Sequence, residues 1–302
     1  MQPKRQRPFQ VDRDEYPFES HWFERDAVAM HYVDEGKGVP VLLLHGNPTW
    51  SFLYRKVIKG LKGSCRVIAP DYPGFGFSEH PPDFGYTPQE HAEWIKALMA
   101  HLNLDLYILV VQDWGGPIGL SIAAEQPDRI AGLVICNTWC WPATPKTRLF
   151  SCVMGGPLGK HLILKHNFFA KVLVPFGIHN DRAMIPPVLR AYADPFPTAE
   201  SRMGNYVFPR QIRKAASWLR SIEQSLPRLA DKPVRMVWGM KDPAFGTSRV
   251  IRRWKAFFPG ASVTRVSSAS HYLQEDCPEQ IVTAIRHVID QLGKCESTRK
   301  SK

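Results

Sequence analysis

The sequence predicts an α/β protein: a mostly parallel eight-stranded sheet flanked by helices, with an inserted helical cap. Three observations predict it. Short apolar runs alternate with helical patterns from about residue 40 to 137. Residues 138–212 break that rhythm and are rich in Pro, Trp, Phe and Leu. The rhythm returns from Pro233 onward. The chain therefore divides into a main domain, residues 1–137 and 213–302, and a cap, residues 138–212.

Each element has a local reason. Residues 1–17 are polar and contain Pro, which suits an arm over the surface. His21–Phe23 and Val28–Val33 flank Glu24-Arg25-Asp26, which reads as a β-hairpin. Val41–Leu44 and Arg66–Asp71 are short apolar runs of the kind that a buried parallel strand needs. Thr87-Pro88-Gln89-Glu90 is a capping box with Pro at the first helical position, so a helix follows to about His101. Leu106–Val111 is the next strand, Gly115–Ala124 a helix and Ile130–Cys136 a strand. After the cap come strand Pro233–Trp238, a helix near Thr247–Phe258, strand Ser262–Val266 and a last helix, Pro278–Leu292.

Composition narrows the function classes. With 44% hydrophobic and 22% charged residues the chain is ordinary for a globular protein. Its net charge of +11 gathers partly at the ends, in Lys4, Arg5 and Arg7 and in Lys294, Arg299, Lys300 and Lys302. No helix-turn-helix, RNP or zinc-finger pattern accompanies that charge, so no nucleic-acid partner is expected. The six cysteines form no framework, and Cys136-x-x-x-Cys140 lacks further zinc ligands, so no metal is expected. There is no signal-peptide pattern and no long apolar run. A cytoplasmic setting without a membrane partner is the default expectation, with homo-oligomerisation left open.

Val110-Val111-Gln112-Asp113-Trp114-Gly115-Gly116 carries the most chemistry. An apolar strand runs into one acidic residue, and two glycines then open a helix. The shape is that of a G-x-S-x-G nucleophile elbow with Asp in place of Ser. An Asp nucleophile forms an ester intermediate, and the amides of the following helix stabilise its carboxylate. Taken alone, Asp113 could simply cap the helix.

Partners follow in chain order. Asp242 lies in a turn after strand Val237-Trp238, and His271 follows the last strand, both where strand ends gather ligands. His271 can deprotonate water while Asp242 holds its tautomer. Alone, Asp242-Pro243 could be a turn and His271 a surface residue. Asp71 precedes a Tyr-Pro-Gly turn and reads as structural, while Glu125 and Asp128 sit at the far end of the elbow helix. Leu44-His45-Gly46-Asn47-Pro48 ends an early strand. The backbone N–H groups of Asn47 and Trp114 would form the oxyanion hole. Their side chains add an amide NH₂ and an indole N–H, two neutral donors suited to a soft leaving anion such as chloride or bromide. Core packing for Trp114 and a loop turn for Asn47 are the plainer alternatives.

Together these residues resemble the haloalkane dehalogenase family of the α/β-hydrolase fold. The resemblance rests on His45-Gly46-Asn47-Pro48-Thr49-Trp50, Gln112-Asp113-Trp114-Gly115-Gly116, Gly239-Met240-Lys241-Asp242 and His271-Tyr272-Leu273-Gln274-Glu275-Asp276. It spans about residues 20–292, though in the cap only general character matches. One family branch pairs two Trp donors with an Asp acid, and another pairs Asn and Trp with a Glu acid before the cap. This chain resembles a third branch, with Asn47 and Trp114 as donors and Asp242 as acid; Asn137 stands where the Glu acid would be.

The resemblance implies hydrolysis of carbon–halogen bonds in small apolar haloalkanes, releasing alcohol, halide ion and proton, with no cofactor. Asp113 would attack the halogen-bearing carbon, and His271 would activate water against the resulting ester. Trp139, Trp141, Phe150, Phe168, Phe169, Leu173 and Val174 are candidates for the cap's side of the cavity. Three rivals stand beside this reading. An epoxide hydrolase would need two cap tyrosines, for which Tyr192 and Tyr206 are available. A luciferase-like oxygenase is disfavoured by the Asp acid position. An inactive binding protein would have no need of the complete set Asp113, Asp242 and His271.

Overall fold

The computed structural model describes residues 5–81 and 83–300, with residues 294–300 described by backbone alone. Lys4, Lys294, Arg299, Lys300 and Lys302, named above for charge, and Cys295, one of the six cysteines, therefore lie outside the described side chains.

The sheet holds β1 (His21–Arg25), β2 (Val28–Glu35), β3 (Pro40–Leu44), β4 (Arg66–Pro70), β5 (Tyr107–Asp113), β6 (Ile130–Thr138), β7 (Val234–Gly239) and β8 (Ser262–Val266). The spatial order is β1-β2-β4-β3-β5-β6-β7-β8. Only the β1–β2 and β2–β4 pairs are antiparallel; the others are parallel. The sequence boundaries differ by a residue or two. β6 continues past Cys136 to Thr138, where Asp113 still pairs with Thr138 across a register shift.

Helices α1 (Arg55–Leu61), α2 (Pro88–His101) and α3 (Gly115–Glu125) precede the insertion. The expected capping box starts α2: the Thr87 hydroxyl accepts from the Glu90 amide, and Glu90 accepts from the Thr87 amide. Short α1 was not expected, since Gly60 and charged residues weaken its pattern; it is held by burial of Val57, Ile58 and Leu61. The inserted region carries α4 (Pro145–Met154), α5 (Pro157–His166), α6 (Val174–Gly177), α7 (Pro186–Ala193) and α8 (Met203–Lys214). Prolines open α4, α5 and α7, as suits the first helical position. Then come α9 (Ala216–Ser225), α10 (Ser248–Phe257), α11 (Leu273–Asp276) and α12 (Pro278–Lys300). Helix α9 packs on α3 of the main domain whereas α8 packs on α4, which supports our proposed cap boundary near residue 212.

Burial follows the parallel architecture. β3, β5 and β6 present almost unbroken buried apolar faces, with Val41, Leu43, Val110, Val134 and Ile135 at zero exposure. Asp71 is structural, as expected. Its buried carboxylate pairs with His31 at 2.8 Å and accepts from the amides of Ser51 and Phe77.

A buried ionic knot joins the cap to this core. The fully buried Arg55 donates to Glu275, at 3.0 Å through Nη2, and to Glu15 at 2.7 Å. Lys56 lies 2.9 Å from Glu275. Tyr192 of α7 donates to the same carboxylate at 2.6 Å. Burial opposes ionisation of Glu275, but Arg55 and Lys56 bring its carboxyl below the ordinary range. Removing one partner of such a pair leaves an uncompensated charge. Glu275→Ala should therefore cost about 3–5 kcal/mol in urea unfolding at neutral pH. Because the carboxyl is depressed in the folded state, the cost should shrink as pH falls below the ordinary carboxylate range. A loss below about 1 kcal/mol at neutral pH would place the knot among ordinary surface pairs.

Candidate active site

The parallel strands deliver three side chains to one edge of the sheet. Asp113 ends β5, Asp242 lies three residues past β7, and His271 follows β8. Asp113 adopts φ +49° at the turn into α3, a left-handed conformation that non-glycine residues take seldom. The turn is tight: a Cβ on Gly46 would lie 2.2 Å from Asp113 Oδ1, and one on Gly115 would lie 2.1 Å from the Leu44 carbonyl. Only hydrogen fits at either place, which is why glycines flank the elbow.

The hydrogen bonds assign roles around His271. Its Nδ1 lies 2.9 Å from Asp242 Oδ2. The same Asp242 oxygen accepts from Asn137 Nδ2 at 2.7 Å, and Oδ1 accepts from the Ala244 and Phe245 amides at 2.7 and 3.1 Å. Burial opposes charge on Asp242, but His271, Asn137 and the amides together lower its carboxyl below the ordinary value. Asn137 is itself locked, exchanging hydrogen bonds with Gly239.

Gln112, unassigned in the sequence, turns out to touch His271 twice. Its amide nitrogen lies 3.1 Å from both the carbonyl oxygen and Nε2 of His271. The carbonyl can only accept, so it orients the NH₂ group, whose second hydrogen then points at an Nε2 lone pair. With Nδ1–H directed at Asp242, this is the tautomer of a base. Nε2 is 3.7 Å from Asp113 Oδ2. Desolvation disfavours the imidazolium, yet Asp242 and Asp113 raise the pKa of His271 above its ordinary value.

The Asp113 carboxylate faces backbone donors. The Asn47 amide donates to its Oδ1 at 2.9 Å, and the Trp114 amide also bonds it. Burial nevertheless pushes the carboxyl pKa up, the condition of a poorly solvated and hence reactive nucleophile.

Asp113 opens into a cavity of about 310 Å³ lined also by Asn47, Trp114, His271 and Asp242. Asn47 Nδ2 and Trp114 Nε1 make no hydrogen bond to a protein acceptor among the described residues, although both residues line this cavity. Trp114 is held edge-on to Trp139, 4.8 Å between centroids, and tilted against Phe208.

Of the expected cap residues, Trp139, Phe150, Phe169 and Leu173 line the cavity. Trp141, Phe168 and Val174 do not, which corrects the sequence reading. Trp141 packs on Trp254 and under Arg253, Val174 joins the core beneath, and Phe168 packs beside Met154 and Ile163. Phe176, Pro209, Ile212, Phe245 and Tyr272 complete the wall. Ile212 repeats at helical spacing after Phe208 and Pro209, a signal that the prolines obscured. Neither Tyr192 nor Tyr206 lines the cavity; their hydroxyls bond Glu275 and the Gly155 carbonyl. The two tyrosines that an epoxide hydrolase would need are thus engaged elsewhere. No group of His, Cys, Asp or Glu among the described residues is arranged to hold a metal ion.

A family model for the alpha/beta hydrolase fold matches residues 39–151. Haloalkane dehalogenase 2 of Mycobacterium tuberculosis is 44% identical over 279 residues, 92% of this chain and 97% of that protein. The chain belongs to the haloalkane dehalogenase family. A crystal structure of the haloalkane dehalogenase DbeA from Bradyrhizobium elkani superposes with a TM-score of 0.83 at 26% identity, covering 92% of this chain and 99% of that one. A cis-3-alkyl-4-alkyloxetan-2-one decarboxylase of Shewanella oneidensis is also similar, 33% identical over 286 residues, 91% of this chain and 89% of that protein.

The geometry dictates a pH response. A histidine acting as base must be neutral, so with His271 as the proposed base turnover should be present above its raised pKa and lost as pH falls through it. Asp242→Asn removes the charge that raises this pKa. Its acid limb should move to lower pH, and kcat should fall on the order of 10³-fold or more. A pH–rate profile with an unmoved limb would separate Asp242 from His271.

Proposed function

We propose that this dehalogenase-family enzyme hydrolyses small apolar haloalkanes to an alcohol, a halide ion and a proton. The observation that carries the reading is the pair of free side-chain donors, Asn47 Nδ2 and Trp114 Nε1, lining an apolar cavity beside Asp113. Neutral donors in a dry site stabilise an anion as it forms without holding it as a Lys or Arg would.

In the first step Asp113 attacks the carbon by an in-line displacement, and Asn47 and Trp114 receive the departing halide. The carbon–oxygen bond forms as the carbon–halogen bond breaks, leaving an alkyl ester on Asp113. His271 then takes a proton from water through Nε2, and the hydroxide attacks the ester carbonyl. The Asn47 and Trp114 amides, already directed at the Asp113 carboxylate, hold the resulting oxyanion. Collapse expels the alkoxide, which takes the proton held on Nε2 and leaves as the alcohol, and the acid formed on Asp113 gives its remaining proton to solvent, restoring the carboxylate. Asp242 steadies the imidazolium throughout, with Asn137 and two amides fixing its own position.

Ester formation has a useful consequence for the base. It removes the Asp113 charge, one of the causes that raise the His271 pKa. The His271 ring is therefore held more readily in its neutral form, the form that can take a proton from water. No cofactor enters any step. The apolar walls supplied by Trp139, Phe169, Leu173 and Phe245 favour an uncharged alkyl substrate.

Bromide release from short bromoalkanes tests the reading. The wild-type chain should release bromide and Asp113→Ala none. Asn47→Leu keeps the backbone donor but removes the side-chain one. It should lower kcat/KM on the order of 10²-fold and weaken product inhibition by added bromide. Unchanged turnover would remove Asn47 from the halide clamp. Decarboxylation of an alkyl-substituted β-lactone without bromide release from any bromoalkane would overturn the substrate assignment.

A further inference from the structure

The cap carries a surface that the hydrolysis above does not use. Six of the eight most exposed large hydrophobic side chains among the described residues fall between residues 149 and 176: Leu149, Phe150, Val153, Leu158, Val172 and Phe176. Leu149 is 66% exposed and Phe176 69%. Helix α4 turns Leu149, Phe150 and Val153 outward while Ser151 and Met154 are buried. This is the reverse of an ordinary surface helix, which hides its apolar residues.

The charge of the same region is one-sided. From residue 138 to 180 the chain has no Asp or Glu, although the whole sequence has 28. The stretch holds five cations, Lys146, Arg148, Lys160, Lys165 and Lys171. All five side chains lie in exposed positions. Leu, Val and Phe interspersed with Lys, without compensating acids, match an anionic lipid surface: apolar groups enter the headgroup boundary and cations meet the phosphates. A protein partner fits less well, because protein interfaces are depleted in Lys.

The patch also borders the cavity. Phe150 and Phe176 belong both to the exposed set and to the cavity wall, with Lys146 and Thr147 beside them. Apolar substrates concentrate in lipid, so a mouth that opens onto a bilayer would receive them there. No described helix is long and apolar enough to cross a membrane, so the contact is peripheral. We propose that the cap face formed by α4, α5 and residues 169–177 docks onto anionic lipid bilayers and presents the cavity mouth to them.

Flotation with vesicles tests this without relying on the catalytic reading. The full chain is mixed with phosphatidylcholine vesicles containing about a third phosphatidylglycerol, or none, at low ionic strength. It should float with the anionic vesicles and much less with the neutral ones. Leu149→Ser with Val153→Ser, and separately Lys160→Glu with Lys165→Glu, should each weaken flotation about tenfold. These four side chains lie outside the cavity wall, so bromide release from dissolved substrate should be unchanged. Absence of flotation would overturn the proposal, as would flotation that neither double variant weakens. Loss in the charge variant alone would reduce the effect to general basicity and overturn the apolar docking. A serine variant that floats normally but converts a dimer to a monomer would assign the face to a second copy of the chain instead.

Discussion

Everything at this site depends on the turn in which β5 ends and α3 begins. Asp113 must leave the sheet with φ +49° for its carboxylate to stand clear of the strand and face the Asn47 amide. That geometry requires the bare backbone of Gly46 and Gly115 close by. It also requires rigid neighbours, because an isolated residue would relax to an ordinary conformation. The buried β3, β5 and β6 strands supply the rigidity, and the Thr138 hydroxyl at the end of β6 bonds the Asp113 carbonyl.

Around the elbow, the other groups are held from behind. Asp242 accepts from Asn137, Ala244 and Phe245, so its charge is directed at His271 alone. Gln112 adjoins Asp113 in sequence and touches His271 through two contacts. Asp276 ties the cap to the loop bearing His271: it accepts from the amides of His179 and Asn180 on one oxygen and from Ser270 on the other. With the Arg55–Glu275–Tyr192 knot next to it, the segment after His271 is a brace between the two layers.

What the sequence disclosed depended on how local the cause was. The capping box at Thr87 and the elbow at Asp113 are written in consecutive residues, and their geometry agrees with expectation. Asp242 and His271 were legible because parallel strands place their ends side by side whatever the intervening length. The cavity wall was only partly legible. Trp139 and Trp141 are indistinguishable in composition, and two residues apart on a strand they would share a face; they part because β6 ends at Thr138 and the chain bends at Trp141. Phe169 and Val174 part company through helix orientation, which tertiary packing decides. The role of Glu275 was hidden because its partner Arg55 lies 220 residues away. Gln112 was visible as a residue, but its function is set by the His271 carbonyl, which no spacing rule reveals.

The central claim is that Asp113 becomes covalently attached to the substrate and that His271 frees it. Intact mass spectrometry of His271→Phe after exposure to 1-bromobutane addresses both halves at once. The account predicts a mass increase of one butyl group, located on the peptide containing Asp113, with one bromide released per chain and no further turnover. An unchanged mass, or continued turnover without an adduct, would contradict it.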